Sequence, residues 1–264
     1  MRIGIIGMGV VGGAMYRGFA NAGCEVRGHD ADPACSRDGL DETLAQDVVL
    51  IAVPTPVDAA NRCDLSAIHA VLERAAALNA PGLFVVRSTI PVGTTRALMG
   101  LHPNLRIGHS PEFLRSATAD ADFLNPPMTV YGGADAATYF AAIRRACKTI
   151  EHKCIELAPG EAELVKLLLN GFAAVKAVFS SEMARLARES GADWDKVVAA
   201  AKLEGRLGEG YLSAAGPDGL PGAGGHCLPK DCRMLASQLG PGSLIEAVLE
   251  INAKLRGEIA TGRG

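Results

Sequence analysis

Along the chain, short apolar runs rich in β-branched residues alternate with stretches in which apolar positions recur every three or four residues. The runs are RIGIIG (2–7), CEVRGHD (24–30), VVLIAVP (48–54), GLFVVRST (82–89), LRIGHSP (105–111) and MTVYGG (128–133), each of which reads as a strand. Between them the helical spacing predicts helices near 10–22, 64–79 and 135–148. In the second of these, Leu65, Ile68, Val71, Leu72 and Ala75 trace one face. Strands separated by helices predict βαβ units, and so an α/β fold built on a doubly wound parallel sheet. After EHKCIELAP (151–159) the texture changes, and an uninterrupted helical pattern runs without proline from Glu161 to about Ser190. Shorter helices are predicted near 193–203, 230–239 and 243–260, with a glycine-rich loop over 205–225. The expected organisation is a sheet domain, 1–158, followed by an all-helical domain, 159–264, with a long central helix.

At 264 residues and 48% hydrophobic, the chain can bury cores for one large or two modest domains. A net charge of −3, with 26 Lys and Arg scattered along the sequence, gives no basic field for nucleic acid. No apolar run reaches the roughly 18 residues of a membrane span, and MRIGIIGMGV lacks the layout of a signal peptide. The expectation is a cytoplasmic protein with neither nucleic acid nor membrane as partner. Seven cysteines, at 24, 35, 63, 147, 154, 227 and 232, are odd in number and contain no CxxC pair. They suggest neither a disulfide framework nor a metal site. All but Cys227 are expected to be inert core thiols.

The segment IGIIGMGVVGGAM places Gly7, Gly9 and Gly12 after a strand and at a helix start, the G-x-G-x-x-G arrangement of a dinucleotide site. Gly7 permits the tight turn, Gly9 lets the backbone approach a pyrophosphate, and Gly12 lets helix and strand pack closely. Val10 and Val11 would offer their amides at the helix N-terminus. The second strand ends in Asp30, where a carboxylate could accept both ribose hydroxyls; that favours NAD over NADP, although Arg27 and Arg37 leave NADP open. Asp32, before Pro33, reads as a helix cap. Two later strands end at Pro54 and Thr55 and at Ser88 and Thr89, on the side where ligands of such sheets sit. The same residues also read as ordinary turn and cap residues.

In EAELVKLLLNGF, Lys166 and Asn170 are four apart and share one helix face. Their apolar neighbours predict a mostly buried helix, where ammonium and amide together can hold a substrate oxygen. In GAGGHCLPKD (222–231), Pro229 suits the first position of a helix, which sets Cys227 just ahead of a helix N-terminus and beside Lys230 and Asp231. Macrodipole and ammonium both favour a thiolate there, and the glycines would let the backbone approach a ligand. A nucleophilic cysteine beside a nicotinamide cofactor suggests oxidation of a primary alcohol to an aldehyde, capture as a thiohemiacetal, oxidation to a thioester and hydrolysis to the acid. Glu112, in SPEFLR, offers a carboxylate to activate the water.

Taken together, GMGVVGG, AVPTP, STIPVGTT, SPEFLR, EAELVKLLLN, EGRLG and GGHCLPKD, in this order, resemble the UDP-glucose/GDP-mannose dehydrogenase family over nearly the whole chain. The resemblance implies two NAD-dependent oxidations of a C6 alcohol on a sugar nucleotide, or on a smaller primary alcohol, by a homodimer formed through the helix over 161–190. It makes Cys227 the nucleophile, Lys166 and Asn170 the oxyanion and orientation pair, Asp231 a water- or proton-handling residue, and Glu112 with Thr89 the group serving thioester hydrolysis. Phe113, Leu114, Arg115 and Gly224 would contact substrate, Lys230 would lie near the cofactor, and Arg206 would reach the substrate of the partner subunit. The chain departs from the family pattern in three ways: it stops where a third, nucleotide-gripping domain would begin, the segment from Asp30 to Val48 is short, and where the family often has a second acid in PEFLREG this chain has PEFLRSA, with Ser116 at that position. GGHC resembles one branch of the family and LPKD another. Two other readings stay open: a single hydride transfer of the β-hydroxyacid dehydrogenase kind, and a catalytically silent NAD-binding protein.

Overall fold

The computed structural model describes residues 1–149 and 152–257. By backbone contacts the chain divides into two compact units, one made of residues 1–56 with 63–166 and the other of 57–62 with the chain from 167 onward. This division falls inside the long helix rather than at its start.

The first unit holds one seven-stranded sheet, formed by β1 (Arg2–Ile6), β2 (Glu25–His29), β3 (Val48–Ile51), β4 (Leu83–Val86), β5 (Arg106–His109), β6 (Met128–Gly133) and β7 (Lys153–Glu156) in the order β2-β1-β3-β4-β5-β6-β7. From β1 the chain goes outward to β2 and then returns to β3 on the opposite side of β1. The winding therefore reverses between β1 and β3, which is the switch point where such sheets bind ligands. Every residue of β3 and β4 is buried, as a strand covered on both faces requires. Alternate residues feed two apolar clusters: Ile3, Ile5, Val48 and Leu50 join Met15 and Phe19 in one, and Val49, Ile51, Phe84 and Val86 join Ile68 and Leu72 in the other.

Helices α1 (Val10–Asn21), α3 (Ser66–Ala77) and α6 (Ala136–Ala146) lie where the periodicity placed them. Three short helices, α2 (Leu40–Leu44), α4 (Thr94–Leu101) and α5 (Ala119–Leu124), and the edge strand β7 were not predicted. The sheet is not wholly parallel, because β6 runs antiparallel to β5 and carries β7 with it. The β5–β6 seam pairs Gly108 with Gly133 and His109 with Gly132. A Cβ on Gly108 would collide with the Tyr131 hydroxyl, so that close approach depends on glycine.

Helix α7 (Pro159–Glu189) crosses the division between the units, and α8 (Trp194–Lys202), α9 (Cys227–Leu239) and α10 (Leu244–Leu255) complete the second. The expected helix over 243–260 thus ends at Leu255, and its last positions, 258–260, lie outside the described residues. In the second unit Ala174, Val178, Cys232, Ala236, Ile245 and Val248 form the core. The loop over 205–225 has little secondary structure, and side chains from the helices satisfy its backbone. Lys176 Nζ donates to the carbonyls of Leu207 and Glu209, Ser180 Oγ to Tyr211, and Ser181 Oγ to Ala214 while accepting from Gly222 N–H.

The expectation that nothing here is long and apolar enough to span a bilayer needs correction. An 18-residue window of α7 has a mean hydropathy of 1.4. A core helix of a globular domain meets the same criterion, and 44% of that window is buried within the fold.

Candidate active site

At the switch point, Gly7 has φ +88°, and a Cβ there would come within 2.5 Å of the Ala52 carbonyl. A Cβ on Gly12 would collide with the Gly7 carbonyl, whereas one on Gly9 would meet nothing within 4 Å. Gly7 and Gly12 are thus demanded by the fold, while Gly9 leaves open space at the mouth of α1. That helix has no side-chain cap and no acid in its first turn, and Gly9 and Val10 are exposed, with Val11 half-buried. Its N–H groups remain available to an anion. Asp30, half-buried at the end of β2, accepts Met8 N–H at 2.5 Å and Asp32 N–H at 2.9 Å, which fixes its carboxylate beside the turn. Arg27 is paired with Asp38 and Glu42, and Arg37 lies 4.7 Å over the Tyr16 ring. The open mouth and the fixed acid fit an adenine dinucleotide with a free ribose 2'-hydroxyl.

Asp32 does not cap a helix; its carboxylate accepts Ala34 N–H in a turn. Thr55 Oγ1 donates to the Thr89 carbonyl at 2.9 Å, and Ser88 Oγ to the Val53 carbonyl at 2.6 Å. Both hydroxyls therefore tie the end of β3 to that of β4, as turn residues do. Pro54 is exposed and Thr89 half-buried beside them.

Also in the first unit, Lys166 is 6% exposed. Its Nζ lies 3.2 Å from Glu112 Oε1 and 5.7 Å from the centre of the Phe113 ring. Glu112 Oε2 accepts Leu114 N–H at 2.7 Å, so both carboxylate oxygens are held. Arg115 is outward and paired with Asp122, whose carboxyl the guanidinium holds well below the usual range. One turn before Lys166, the buried Glu163 carboxylate accepts Gly93 N–H, Thr95 N–H and Thr95 Oγ1, each at 2.6 Å. It thereby caps α4, whose own Gly93 brings no side chain. Sequence reasoning missed Glu163, because nothing local to it signals partners seventy residues away.

In the second unit, Asn170 Nδ2 donates to Asp231 Oδ2 at 2.6 Å. Asp231 is 2% exposed, and its Oδ1 lies 2.8 Å from Lys230 Nζ as an ion pair without hydrogen-bond alignment. The Lys230 ammonium thus keeps donors to spare. Cys227 is an exposed thiol at the first position of α9. The helix was expected to start at Pro229 or Lys230 but begins at Cys227. Pro229 then occupies the third position, where a missing N–H costs nothing because the first-turn amides have no intrahelical acceptor.

Two of the glycines before Cys227 are required by packing within the loop. A Cβ on Gly222 would collide with Asn252 Oδ1, and one on Gly224 would come within 2.6 Å of Asp218 and 2.8 Å of Arg256. Gly225 has φ +77° and open space. Asn252 accepts Ala223 N–H at 2.7 Å and donates to its carbonyl at 3.0 Å. Arg206 is exposed and pairs with Glu204 at 2.5 Å.

Of the six cysteines expected in the core, only Cys232 is buried; Cys35 is exposed and Cys24, Cys63, Cys147 and Cys154 are half-buried. Burial, with the charge of Asp231, pushes the Cys232 thiol up to about 12. In Cys35 the Asp32 carboxylate, followed by partial burial and Asp30, raises the thiol. Among the described residues no group of three or more His, Cys, Asp or Glu could hold a metal.

A doubly wound sheet with an uncapped glycine turn and a fixed acid at its switch point, followed by a helical unit on a long helix, defines a dinucleotide-binding protein of the dehydrogenase type. The chain belongs to the UDP-glucose/GDP-mannose dehydrogenase family: residues 34–150 match the family's NAD binding domain and residues 160–254 its central domain. The UDP-glucose 6-dehydrogenase TuaD of Bacillus subtilis is 33% identical over 224 residues, covering 80% of this chain and 47% of the relative. That of Pseudomonas aeruginosa is 30% identical over 318 residues, covering the whole chain and 69% of the relative. A UDP-glucose dehydrogenase structure from Pyrobaculum islandicum superposes with a TM-score of 0.84 at 28% identity, over 96% of this chain and 68% of that one. The chain spans about half the length of several of the curated relatives it matches.

Proposed function

We propose that the chain carries out NAD-dependent, four-electron oxidation of the C6 primary alcohol of a UDP-sugar, with UDP-glucose the first substrate to test. The observation that carries this reading is the linked set in the second unit: Asn170, Asp231 and Lys230 in direct contact, on or against the helix that opens with Cys227. In the same unit a cavity of about 480 Å³ is lined by Tyr211, Ser213, Asp218, Gly224 and by Leu228, the residue after Cys227, room for part of a sugar nucleotide.

Two molecules of NAD, bound in turn at the glycine turn, would supply the acceptors for the two hydrides. The first hydride leaves C6 as the alcohol proton passes to water, giving an aldehyde; Cys227 sulfur adds to its carbon as a proton passes to the carbonyl oxygen, giving a thiohemiacetal; loss of the second hydride from that carbon, with the hydroxyl proton, leaves a thioester, and water releases the acid and restores the thiol. The uncapped start of α9 favours the thiolate needed for that addition. Asn170, oriented by Asp231, and Lys166, one turn earlier on the same helix, provide an amide and an ammonium for the developing oxyanion. Glu112 is the base for the hydrolytic water. The whole cycle gives two NADH per substrate, whereas a single hydride transfer gives one.

A homodimer through α7 is supported by Leu168, Phe172, Phe179 and Leu186, all more than half exposed at helical spacing along it. The central test is Cys227→Ser. It should abolish formation of the uronic acid while NAD binding, read by fluorescence quenching, persists. Acid production at the wild-type rate would overturn the covalent mechanism, and one NADH per substrate in the wild type would overturn the four-electron reading.

A further inference from the structure

In the first unit lies a second cavity, of about 240 Å³, at the ends of β4 and β5. Its walls are mainly apolar, with Leu114, Phe123, Pro126 and Ile143 among them, yet Arg87 stands in them too. Arg87 is 7% exposed. Its Nη1 donates to Ser110 Oγ at 2.6 Å and to Tyr139 Oη at 2.7 Å. Those two bonds use both Nη1 hydrogens. Nε is buried without an acceptor, and Nη2 donates to none of the described residues. No ion pair compensates the charge either, since Arg87 has no carboxylate within reach among the described residues. Asp122 and Arg115 also stand in the cavity walls, paired with each other at 2.8 Å, and His109, 1% exposed, is held neutral by burial and then by the Arg87 charge, with a pKa of about 3.

A guanidinium withdrawn from water without an anion is costly, and buried cations are ordinarily paired. A fork with one side spent on neutral hydroxyls and the other unspent is shaped for an oxyanion. We propose that this cavity is a binding site for a small oxyanion, a phosphate or carboxylate group carried on a compact and partly apolar body, with Arg87 as its anchor. It adjoins the 113–115 segment along one wall, so occupancy would bear on the segment that the family resemblance assigns to substrate. The site is separate from the dinucleotide turn and does not depend on the proposed reaction.

The test is thermal unfolding of the full chain in the presence of saturating NAD, with sodium phosphate or sodium acetate compared with sodium chloride at equal ionic strength. Saturating NAD removes the competing anion site at the start of α1. Ligand at ten times its dissociation constant should raise Tm by about 3–6 °C. The oxyanion that acts identifies the headgroup class. Arg87→Met should remove the oxyanion-specific rise. Met128→Trp narrows the cavity from its wall without touching the charge; it should weaken the rise and serves if Arg87→Met does not fold. Equal shifts in chloride and in both oxyanions for the wild type would overturn the proposal, as would an undiminished phosphate or acetate shift in either folded variant.

Discussion

Glu163→Ala removes the one acceptor shared by Gly93 N–H, Thr95 N–H and Thr95 Oγ1, all at 2.6 Å from a carboxylate that is 1% exposed. The Thr95 hydroxyl can turn to another acceptor and the N–H of the exposed Gly93 to water, but the buried Thr95 N–H cannot. A buried donor left without a partner costs about 1–3 kcal/mol, so the loss for the sheet unit should be about 1–3 kcal/mol. Glu163→Gln keeps one oxygen for Thr95 and turns an amide nitrogen toward the exposed Gly93 N–H, and should cost less, about 1 kcal/mol. Urea unfolding followed by far-UV circular dichroism gives the size. Hydrogen exchange of the 94–101 peptide gives the place. The single tryptophan, Trp194, lies in the helical unit, so its fluorescence reports a transition that should move less. Refutation would be a Glu163→Ala sheet unit within 0.5 kcal/mol of wild type (roughly the spread of neutral surface changes) with unaltered exchange in α4.

His109 is neutral when folded, with a pKa near 3 against 6.5 when exposed. Between those values the unfolded chain binds the extra proton, so stability falls as pH drops below 6.5, by about 1.4 kcal/mol per unit. At pH 5 that amounts to about 2 kcal/mol, and His109→Gln should flatten the profile between pH 6.5 and 5; an unchanged slope would count against it. Asn252→Ala strips both partners from the buried Ala223 backbone and should cost about 2–4 kcal/mol, seen as a lower urea midpoint by Trp194 fluorescence and faster proteolysis within 205–225. Wild-type cleavage rates would show that Asn252 does not anchor the loop. Phe172→Asp with Phe179→Asp should give a monomer by light scattering if α7 forms the dimer, and a dimer of undiminished stability would exclude that face.

The cofactor end was legible because its signals are local. Gly7 and Gly12 are required by contacts within one strand–turn–helix, and Asp30 sits at the end of the next strand, so spacing alone located them. Lys166 and Asn170 were legible for a similar reason, since a helical period fixes which residues share a face. The short helices α2, α4 and α5 escaped because five to eight residues carry too little periodicity to stand out. The start of α9 was misplaced because proline is tolerated at more than one position of a first turn. Thr55 and Ser88 show the converse limit: their positions were read correctly, but sequence could not tell a ligand contact from a tie between two strand ends.

What the sequence determined by itself is the alternation of strand and helix, the glycine turn with its acid, and the order of motifs that marks the family, all written in short-range spacing. Only the tertiary structure decided which groups are paired: Glu112 with Lys166, Asn170 with Asp231, Glu163 with the start of α4, and Arg87 with no anion among the described residues. It also showed that Gly222 and Gly224 are held without side chains by Asn252, Asp218 and Arg256. The reason is that each pairing is a contact across 54 to 70 residues, and its strength depends on burial, which no local pattern records.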